Sequence, residues 1–95
     1  MIRRPSATAA APRRYQLLTR AGCHLCDELA GLLDEVMPRR GMAYESIDVD
    51  GEGEALAALR ERYGEVVPVL LRDGVAVAKV RVDRGQLERI LDERR

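Results

Sequence analysis

A pair of cysteines separated by two residues, Cys23 and Cys26, constrains the fold of this chain more than any other feature of its sequence. The pair follows residues 15–19, a short run of Tyr, Gln, Leu and Thr that is typical of a β-strand and that an Ala-Gly dipeptide terminates. It opens residues 25–36, where leucine and valine recur at intervals of three and four, as on an amphipathic helix with one apolar face. The cysteines therefore lie in the first turn of a helix that directly follows a strand.

The remaining segments predict three more strands and two more helices. The nearly continuous apolar run at residues 66–71 is typical of a strand buried on both faces. Arg72-Asp73-Gly74 is typical of a tight hairpin turn, in which glycine takes a positive φ. The other strands are expected at residues 43–49 and 75–82, and the helices at residues 55–63 and after Asp83, a favourable N-cap for a helix with Leu87, Ile90 and Leu91 inward.

The order of these elements, β-α-β-α-β-β-α, predicts an α/β fold. The first strand–helix–strand unit is expected to be parallel with a right-handed crossover, because nearly all such connections have that hand. The third and fourth strands would form an antiparallel hairpin beside it. The expected architecture is a four-stranded mixed sheet flanked by helices, and 95 residues suffice for one such domain.

The first fourteen residues differ from the rest of the chain. They contain four arginines, two prolines and no acidic residue, and they show neither helix nor strand periodicity. We expect a disordered N-terminal tail at residues 1–14 and a structured domain at residues 15–95. An organelle transit peptide is the alternative for such a segment, whereas a secretory signal does not fit, because no apolar stretch of about 7–15 residues follows the basic start.

Charge and hydropathy exclude several classes of protein. The chain carries sixteen basic and sixteen acidic residues, yet residues 21–95 have a formal net charge of −5. An acidic body is unfavourable for nucleic-acid binding, which depends on clustered Lys and Arg. No apolar run approaches the roughly 20 residues that cross a bilayer, and two cysteines cannot form a disulfide-dense secreted scaffold. We expect a monomer with neither a nucleic-acid nor a membrane partner.

The position of the cysteines at a helix start favours redox chemistry. Two intervening residues let the sulfurs meet across one helical turn, so a reversible disulfide can form with little backbone movement. Unpaired N–H groups and the positive end of the helix stabilise a thiolate on Cys23, which is the attacking species in disulfide exchange. Cys26, one turn further in, would resolve the mixed disulfide. His24 would add to this stabilisation as an imidazolium, or face solvent as a neutral residue.

Two other interpretations of the cysteine pair stay open from the residues alone. Structural zinc requires four ligands, and the chain offers two cysteines and one histidine, so a carboxylate or a second subunit would have to complete the site. The thiols could instead be inert. A purely structural disulfide has little use here, because it would close a loop of only two residues.

The sequence TRAGCHLC at residues 19–26, followed by VPVL at residues 67–70, resembles small bacterial glutaredoxin-like proteins, a branch of the thioredoxin fold. The resemblance covers residues 15–95, including the order and length of the elements. It implies a cis peptide bond between Val67 and Pro68, opposite the cysteines, where the Val67 backbone would pair with an extended thiol substrate. Thioredoxin itself is a weaker match, since the chain contains no tryptophan.

The same resemblance implies a ligand site around the cysteines. Arg20 stands where glutaredoxins place a lysine near the carboxylate of glutathione, and Asp83 matches an acidic cap that would meet the amino group of the ligand. The chain departs from glutaredoxins at residues 81–83, where it lacks the glycine pair that lets glutathione approach the backbone. The candidate site thus comprises catalytic Cys23 and Cys26 with substrate-binding Arg20, His24, Val67, Pro68 and Asp83.

These observations favour a cytoplasmic thiol–disulfide oxidoreductase. Its substrates would be protein or low-molecular-weight disulfides, and glutathione or a thioredoxin-type reductant would restore the dithiol. No metal or organic cofactor is required. Two alternatives belong to other classes of protein: a non-catalytic binding module that uses the edge beside Pro68, and a protein that ligates an iron–sulfur cluster or another metal through Cys23.

Overall fold

Four strands and three helices follow one another in the predicted order along residues 13–93, the part of the chain that the computed structural model describes. The strands are β1 (Tyr15–Thr19), β2 (Tyr44–Asp48), β3 (Val69–Arg72) and β4 (Val75–Lys79). The helices are α1 (His24–Val36), α2 (Glu54–Tyr63) and α3 (Arg84–Asp92), and 3₁₀ turns at Pro38–Arg40 and Gly64–Val66 follow α1 and α2. None of the helices in this part of the chain is long and apolar enough to cross a membrane. Residues 1–12 of the predicted tail lie outside the described part.

The four strands form one mixed sheet in the order β2-β1-β3-β4. β1 pairs in parallel with β2 and antiparallel with β3, and β3 pairs antiparallel with β4. This confirms the four-stranded mixed sheet that the sequence predicts. Leu18 of β1 lies opposite Ile47 of β2 and Val69 of β3. The carboxyl ends of β1 and β2 and the amino end of β3 therefore meet at one edge of the sheet.

Alternating side chains of β1 divide the core between the two faces of the sheet. Leu17 packs in one cluster with Leu33 of α1 and Leu87 of α3, and all three side chains are fully buried. Leu18 packs in a second cluster that includes Tyr63 of α2. Because successive side chains of a strand point to opposite faces, α1 and α3 cover one face of the sheet and α2 covers the other.

The strand predicted at residues 66–71 begins later than expected, at Val69. Gly64–Val66 instead form a 3₁₀ turn after α2, and Pro68 has no N–H to donate to a strand ladder. Val66 and Val67 are partly buried against the same core cluster as β3. The apolar run in the sequence does not show where the turn ends and the strand begins, because both segments pack against the core.

The prediction for residues 75–82 is wrong in its second half. β4 ends at Lys79, and Val80 takes a left-handed φ of 65°. A β-bulge in the pairing with β3 inserts Val77 as an extra residue. Val77 and Ala78, which are adjacent in sequence, consequently both pack against the cluster beneath α1 and α3. The simple alternation of the sequence therefore does not describe which side chains are buried.

The turn between β3 and β4 is confirmed as a two-residue hairpin turn. Asp73 and Gly74 have φ values of 52° and 86°, the two positive angles of a type I′ turn. The Asp73 carboxylate accepts hydrogen bonds from the Arg14 backbone N–H at 2.9 Å and from the Arg13 side chain at 3.2 Å. The contacts of the domain therefore include Arg13 and Arg14, which the sequence analysis assigned to the tail.

Replacement of Asp73 by asparagine is expected to remove a pH-dependent part of the stability while keeping the turn, since asparagine also tolerates a positive φ. The Arg14 N–H, followed by the Arg13 side chain, lowers the pKa of Asp73 in the folded protein. A lowered carboxyl pKa stabilises the fold above the unfolded value of about 3.9, and this contribution is lost as the pH falls through the folded pKa.

Urea unfolding of wild type and Asp73→Asn near pH 7 and at about pH 2.5 measures this effect. The wild type should be the more stable protein near neutrality, and its advantage should shrink in acid. An unchanged difference between the two proteins at both pH values would contradict the assignment.

Candidate active site

The two cysteines form a disulfide at the start of α1. Cys23 is the N-cap residue and has an extended backbone with φ −90° and ψ 104°. Gly22 takes a φ of 76°, which turns the chain from β1 into the helix. The Cα atoms of the cysteines lie 5.2 Å apart, and the Cys26 N–H donates to Cys23 Sγ at 3.1 Å. The Cys26 N–H, one of the helix-start N–H groups that lack a partner within the helix, thus donates to the Cys23 sulfur.

The two cysteines differ in their exposure to solvent. Cys26 is 2% exposed, whereas Cys23 is partly exposed. Helical spacing explains the difference, because Cys26 lies on the buried stripe of α1 that continues through Leu29 and Leu33. A molecule that approaches from solvent therefore reaches Cys23 before Cys26.

The Val67–Pro68 peptide bond is cis, as the resemblance implied. Val67 is half-buried with an extended backbone of φ −65° and ψ 150°, and Pro68 is buried. Because Leu18 lies opposite Val69, Pro68 comes level with the end of β1, from which the chain runs on to Cys23. The pairing of β1 with β3 therefore brings the proline and the cysteine segment to the same edge of the sheet.

Val80 makes a contact at this edge that the sequence analysis missed. Its N–H donates to the Pro68 carbonyl at 2.7 Å, and its φ of 65° is an uncommon backbone conformation for a β-branched residue. Val80 and Val82 also line a cavity of about 200 Å³ together with Leu25 from between the cysteines. No glycine stands at this left-handed position, so the residue pattern carried no signal for it.

Arg20 is held by an ion pair and a backbone contact. Its Nε and Nη2 groups donate to the two carboxylate oxygens of Asp50 at 3.0 and 2.8 Å, and its Nη1 group donates to the Gly64 carbonyl at 3.1 Å. Its own carbonyl accepts the Cys23 N–H at 3.3 Å. The hydrogen-bonded pair raises the pKa of Arg20 and lowers the pKa of Asp50. Arg20 thus joins the cysteine segment to the loops that follow β2 and α2.

Asp50 is a second residue at this edge that the sequence analysis did not include in the site. It lies just beyond the end of β2 at Asp48, in the segment that leads to α2. The predicted topology could have indicated that Asp50 lies near Arg20, because the carboxyl ends of two adjacent parallel strands meet at the same edge of a sheet. Residues that follow β1 and residues that follow β2 were therefore candidates for contact.

His24 is 85% exposed at the first position of α1, and its Nε2 lies 3.1 Å from a carboxylate oxygen of Glu28. The two residues form an i,i+4 pair on the outer face of the helix. The substrate-binding role of His24 stays a prediction.

Within residues 13–93, no group of three or more His, Cys, Asp and Glu side chains is placed to hold a metal ion.

Asp83 is the N-cap of α3, as the sequence predicted. Its carboxylate accepts the Gln86 N–H at 2.8 Å, and the Gln86 side chain accepts the Asp83 N–H at 2.9 Å, which completes a capping box. The backbone N–H groups of Asp83 and Gln86 at the start of the helix therefore each have a hydrogen-bond acceptor within this local motif. A role for Asp83 in ligand binding stays a prediction.

Replacement of Asp83 by alanine is expected to lower the free energy of unfolding by about 1 kcal/mol through loss of the cap. Asp83→Asn is the matched control, because it keeps a capping oxygen and removes only the charge. If Asp83 also binds the amino group of a substrate, Asp83→Asn should raise KM while leaving most of the stability intact. Urea unfolding and disulfide-reduction kinetics measure the two effects. An equal loss of stability in both variants would contradict the capping role.

A family model for the glutaredoxin-like domain (DUF836) matches residues 14–92. The chain belongs to this glutaredoxin-like family. An uncharacterized protein of Mycobacterium tuberculosis (strain H37Rv) is 37% identical over 75 residues, which cover 78% of this chain and 77% of the relative. An uncharacterized protein of Mycobacterium bovis is similar to the same extent, at 37% identity over 75 residues.

Solved structures place this glutaredoxin-like domain in the thioredoxin fold. The X-ray structure of a structural-genomics target protein from X. campestris is 33% identical, with a TM-score of 0.66 over 82% of this chain and 95% of that chain. A mutant thioredoxin from Halobacterium salinarum is 25% identical, with a TM-score of 0.62 over 92% of this chain and 78% of that chain. The fold that the resemblance implied is therefore confirmed, with a Cys-x-x-Cys pair at disulfide distance.

Proposed function

We propose that this glutaredoxin-like domain is a thiol–disulfide oxidoreductase in which Cys23 is the nucleophile and Cys26 the resolving cysteine. The observation that carries the proposal is a partly exposed Cys23 at the start of α1, whose Sγ lies 3.1 Å from the Cys26 backbone nitrogen, with Cys26 itself buried. N–H groups and the positive end of a helix stabilise a thiolate at such a position. Membership in the glutaredoxin-like family supports the same chemistry.

The proposed reaction transfers two electrons from the dithiol to a substrate disulfide. The Cys23 thiolate attacks one sulfur of the substrate, which forms a mixed disulfide and releases the other sulfur as a thiolate. The Cys26 thiol gives its proton to water and attacks Cys23 Sγ, which releases the second substrate thiolate and closes the Cys23–Cys26 disulfide. The released thiolates take up protons from water. The disulfide-bonded state corresponds to the oxidised form of this cycle.

The substrate would approach the exposed side of Cys23, beside Val67 and Pro68. The extended backbone of Val67 suits pairing with an extended segment of a bound chain. A thioredoxin-type dithiol or glutathione would reduce the Cys23–Cys26 disulfide again, and neither a metal nor an organic cofactor takes part. We place the activity in the cytoplasm, where disulfide reduction is the prevailing direction of exchange.

Trapping of the mixed disulfide tests this proposal. In Cys26→Ser the resolving sulfur is missing, so the reduced protein should accumulate a one-to-one adduct on Cys23 when it is mixed with hydroxyethyl disulfide. Intact-mass spectrometry and peptide mapping identify the adduct, and the variant with both cysteines replaced by serine is the control. The lack of an adduct on Cys23 would refute the proposal and favour a non-catalytic binding role.

A further inference from the structure

The Arg20 guanidinium is already occupied on the side that best receives a carboxylate. A guanidinium binds a carboxylate most strongly through two parallel N–H groups. Arg20 presents such a pair, Nε and Nη2, to the two oxygens of Asp50 at 3.0 and 2.8 Å, and its Nη1 group donates to Gly64. A carboxylate of a substrate would have to displace Asp50 or bind Arg20 with poorer geometry.

The charges around Arg20 also oppose a second anion. Asp50, Glu65 and Asp48 all contribute to the raised pKa of Arg20, in that order. Arg60 is a second cation of this group, and it contributes to the lowered pKa of Asp50. These three carboxylates and two guanidinium groups together carry a net negative formal charge near neutral pH.

Two carboxylates near the start of α1 add further negative charge close to the nucleophile in the chain. Asp27 and Glu28 are exposed and lie within about one turn of Cys23. His24, the potential cation of this turn, is paired with Glu28 at 3.1 Å. Carboxylates therefore accompany both chain segments that adjoin Cys23, the group at Arg20 before it and the start of α1 after it.

We propose that Asp50 is a specificity-determining residue: by holding Arg20, it directs the thiol site away from carboxylate-bearing disulfides such as glutathione disulfide and toward neutral or basic disulfides of polypeptides. This inference rests on the proposed oxidoreductase function. A polypeptide, like glutathione, presents backbone amides next to its half-cystine that can pair with the extended Val67 backbone, but it has no terminal carboxylates there that require a cation. By the same reasoning, a protein dithiol rather than glutathione restores the reduced pair.

Three small disulfides that differ in charge test the proposal: cystamine is cationic, hydroxyethyl disulfide is neutral and glutathione disulfide is anionic. The measurement is the second-order rate of adduct formation on Cys23 in reduced Cys26→Ser protein, with and without Asp50→Asn. Loss of the charged two-point contact with Arg20 in Asp50→Asn should raise the ratio of the glutathione disulfide rate to the hydroxyethyl disulfide rate about fivefold, the upper range for one partly exposed ion pair. The ratio is independent of any general change in Cys23 reactivity, because both disulfides react with the same sulfur.

Glu65→Gln is the matched control, because it removes one carboxylate of the group and leaves both Arg20 N–H groups on Asp50. We expect it to change the ratio by about twofold or less. Added salt should reduce the preference of the parent protein for cystamine over glutathione disulfide. An unchanged ratio in Asp50→Asn, or an equal change in Glu65→Gln, would overturn the role of Asp50. A Cys23 that reacts with none of the three disulfides would instead refute the oxidoreductase function, so the two failures are distinct.

Discussion

Replacement of Cys23 by serine is expected to slow disulfide reduction at least about a thousandfold, because a hydroxyl group does not ionise near neutral pH and cannot replace the thiolate as nucleophile. Turnover of hydroxyethyl disulfide with a dithiol reductant, after subtraction of the uncatalysed rate, measures the loss. Cys26→Ser is expected to turn over more slowly, because only the external dithiol can then resolve the mixed disulfide on Cys23. It should nevertheless keep the first attack by Cys23, because the buried Cys26 sulfur acts only on the mixed disulfide.

Neither serine variant is expected to unfold the domain. The Cys23–Cys26 bridge has a sequence separation of 3, so it restricts the unfolded chain very little. Urea unfolding of the reduced wild type provides the reference for both variants. The opposite pattern would reverse the proposed roles of the two cysteines. That pattern is substantial turnover in Cys23→Ser, together with alkylation of the reduced wild type at Cys26 before Cys23.

Replacement of Leu33 by alanine is expected to lower the free energy of unfolding by about 3 kcal/mol. Leu33 is 0% exposed on α1 and belongs to the same core cluster as Leu17 of β1 and Leu87 of α3. The truncation leaves a cavity where a strand and two helices meet, and these elements cannot all close around it. A loss of this size is a large part of the total stability of about 5–15 kcal/mol that is usual for a domain.

Leu32→Ala provides the matched control on the same helix. Leu32 is only partly buried and lies beside the cavity lined by Val80 and Val82. Its truncation removes less apolar area from the core, so we expect a loss of about 1 kcal/mol. Urea unfolding of the two variants under the same conditions gives the comparison. Equal losses would show that the buried face of α1 is assigned incorrectly.

The features that the sequence predicted correctly depend on residues that are close together in the chain. The apolar stripe of α1, the Asp73-Gly74 turn and the Asp83 cap each involve at most a few consecutive helical turns or a single loop. The cysteine pair is local in the same sense, since its placement at a helix start follows from the strand before it and the stripe after it. Such patterns can be recognised in the sequence because the residues that interact lie within a short segment of the chain.

The bounds of β3 and β4 could not be obtained in this way. The bulge at Val77 exists only in relation to the partner strand, and the left-handed turn at Val80 accompanies a hydrogen bond from its N–H to the carbonyl of Pro68. Both features are set by pairing between segments, and a bulge shifts the apparent alternation of every residue that follows it. The alternation in the sequence therefore predicted a longer and more regular strand than the one that forms.

The sequence by itself determined the order of the elements, the family resemblance and the position of the two sulfurs at the head of α1. Only the tertiary structure decided what Arg20 binds. Asp50 lies thirty residues from Arg20 along the chain and Gly64 forty-four, and the three meet because β1, β2 and β3 end or begin at one edge of the sheet. Several acids were available to this arginine in the sequence, and which of them it pairs with depends on distance in space, since the attraction between charges falls with separation and with screening by water.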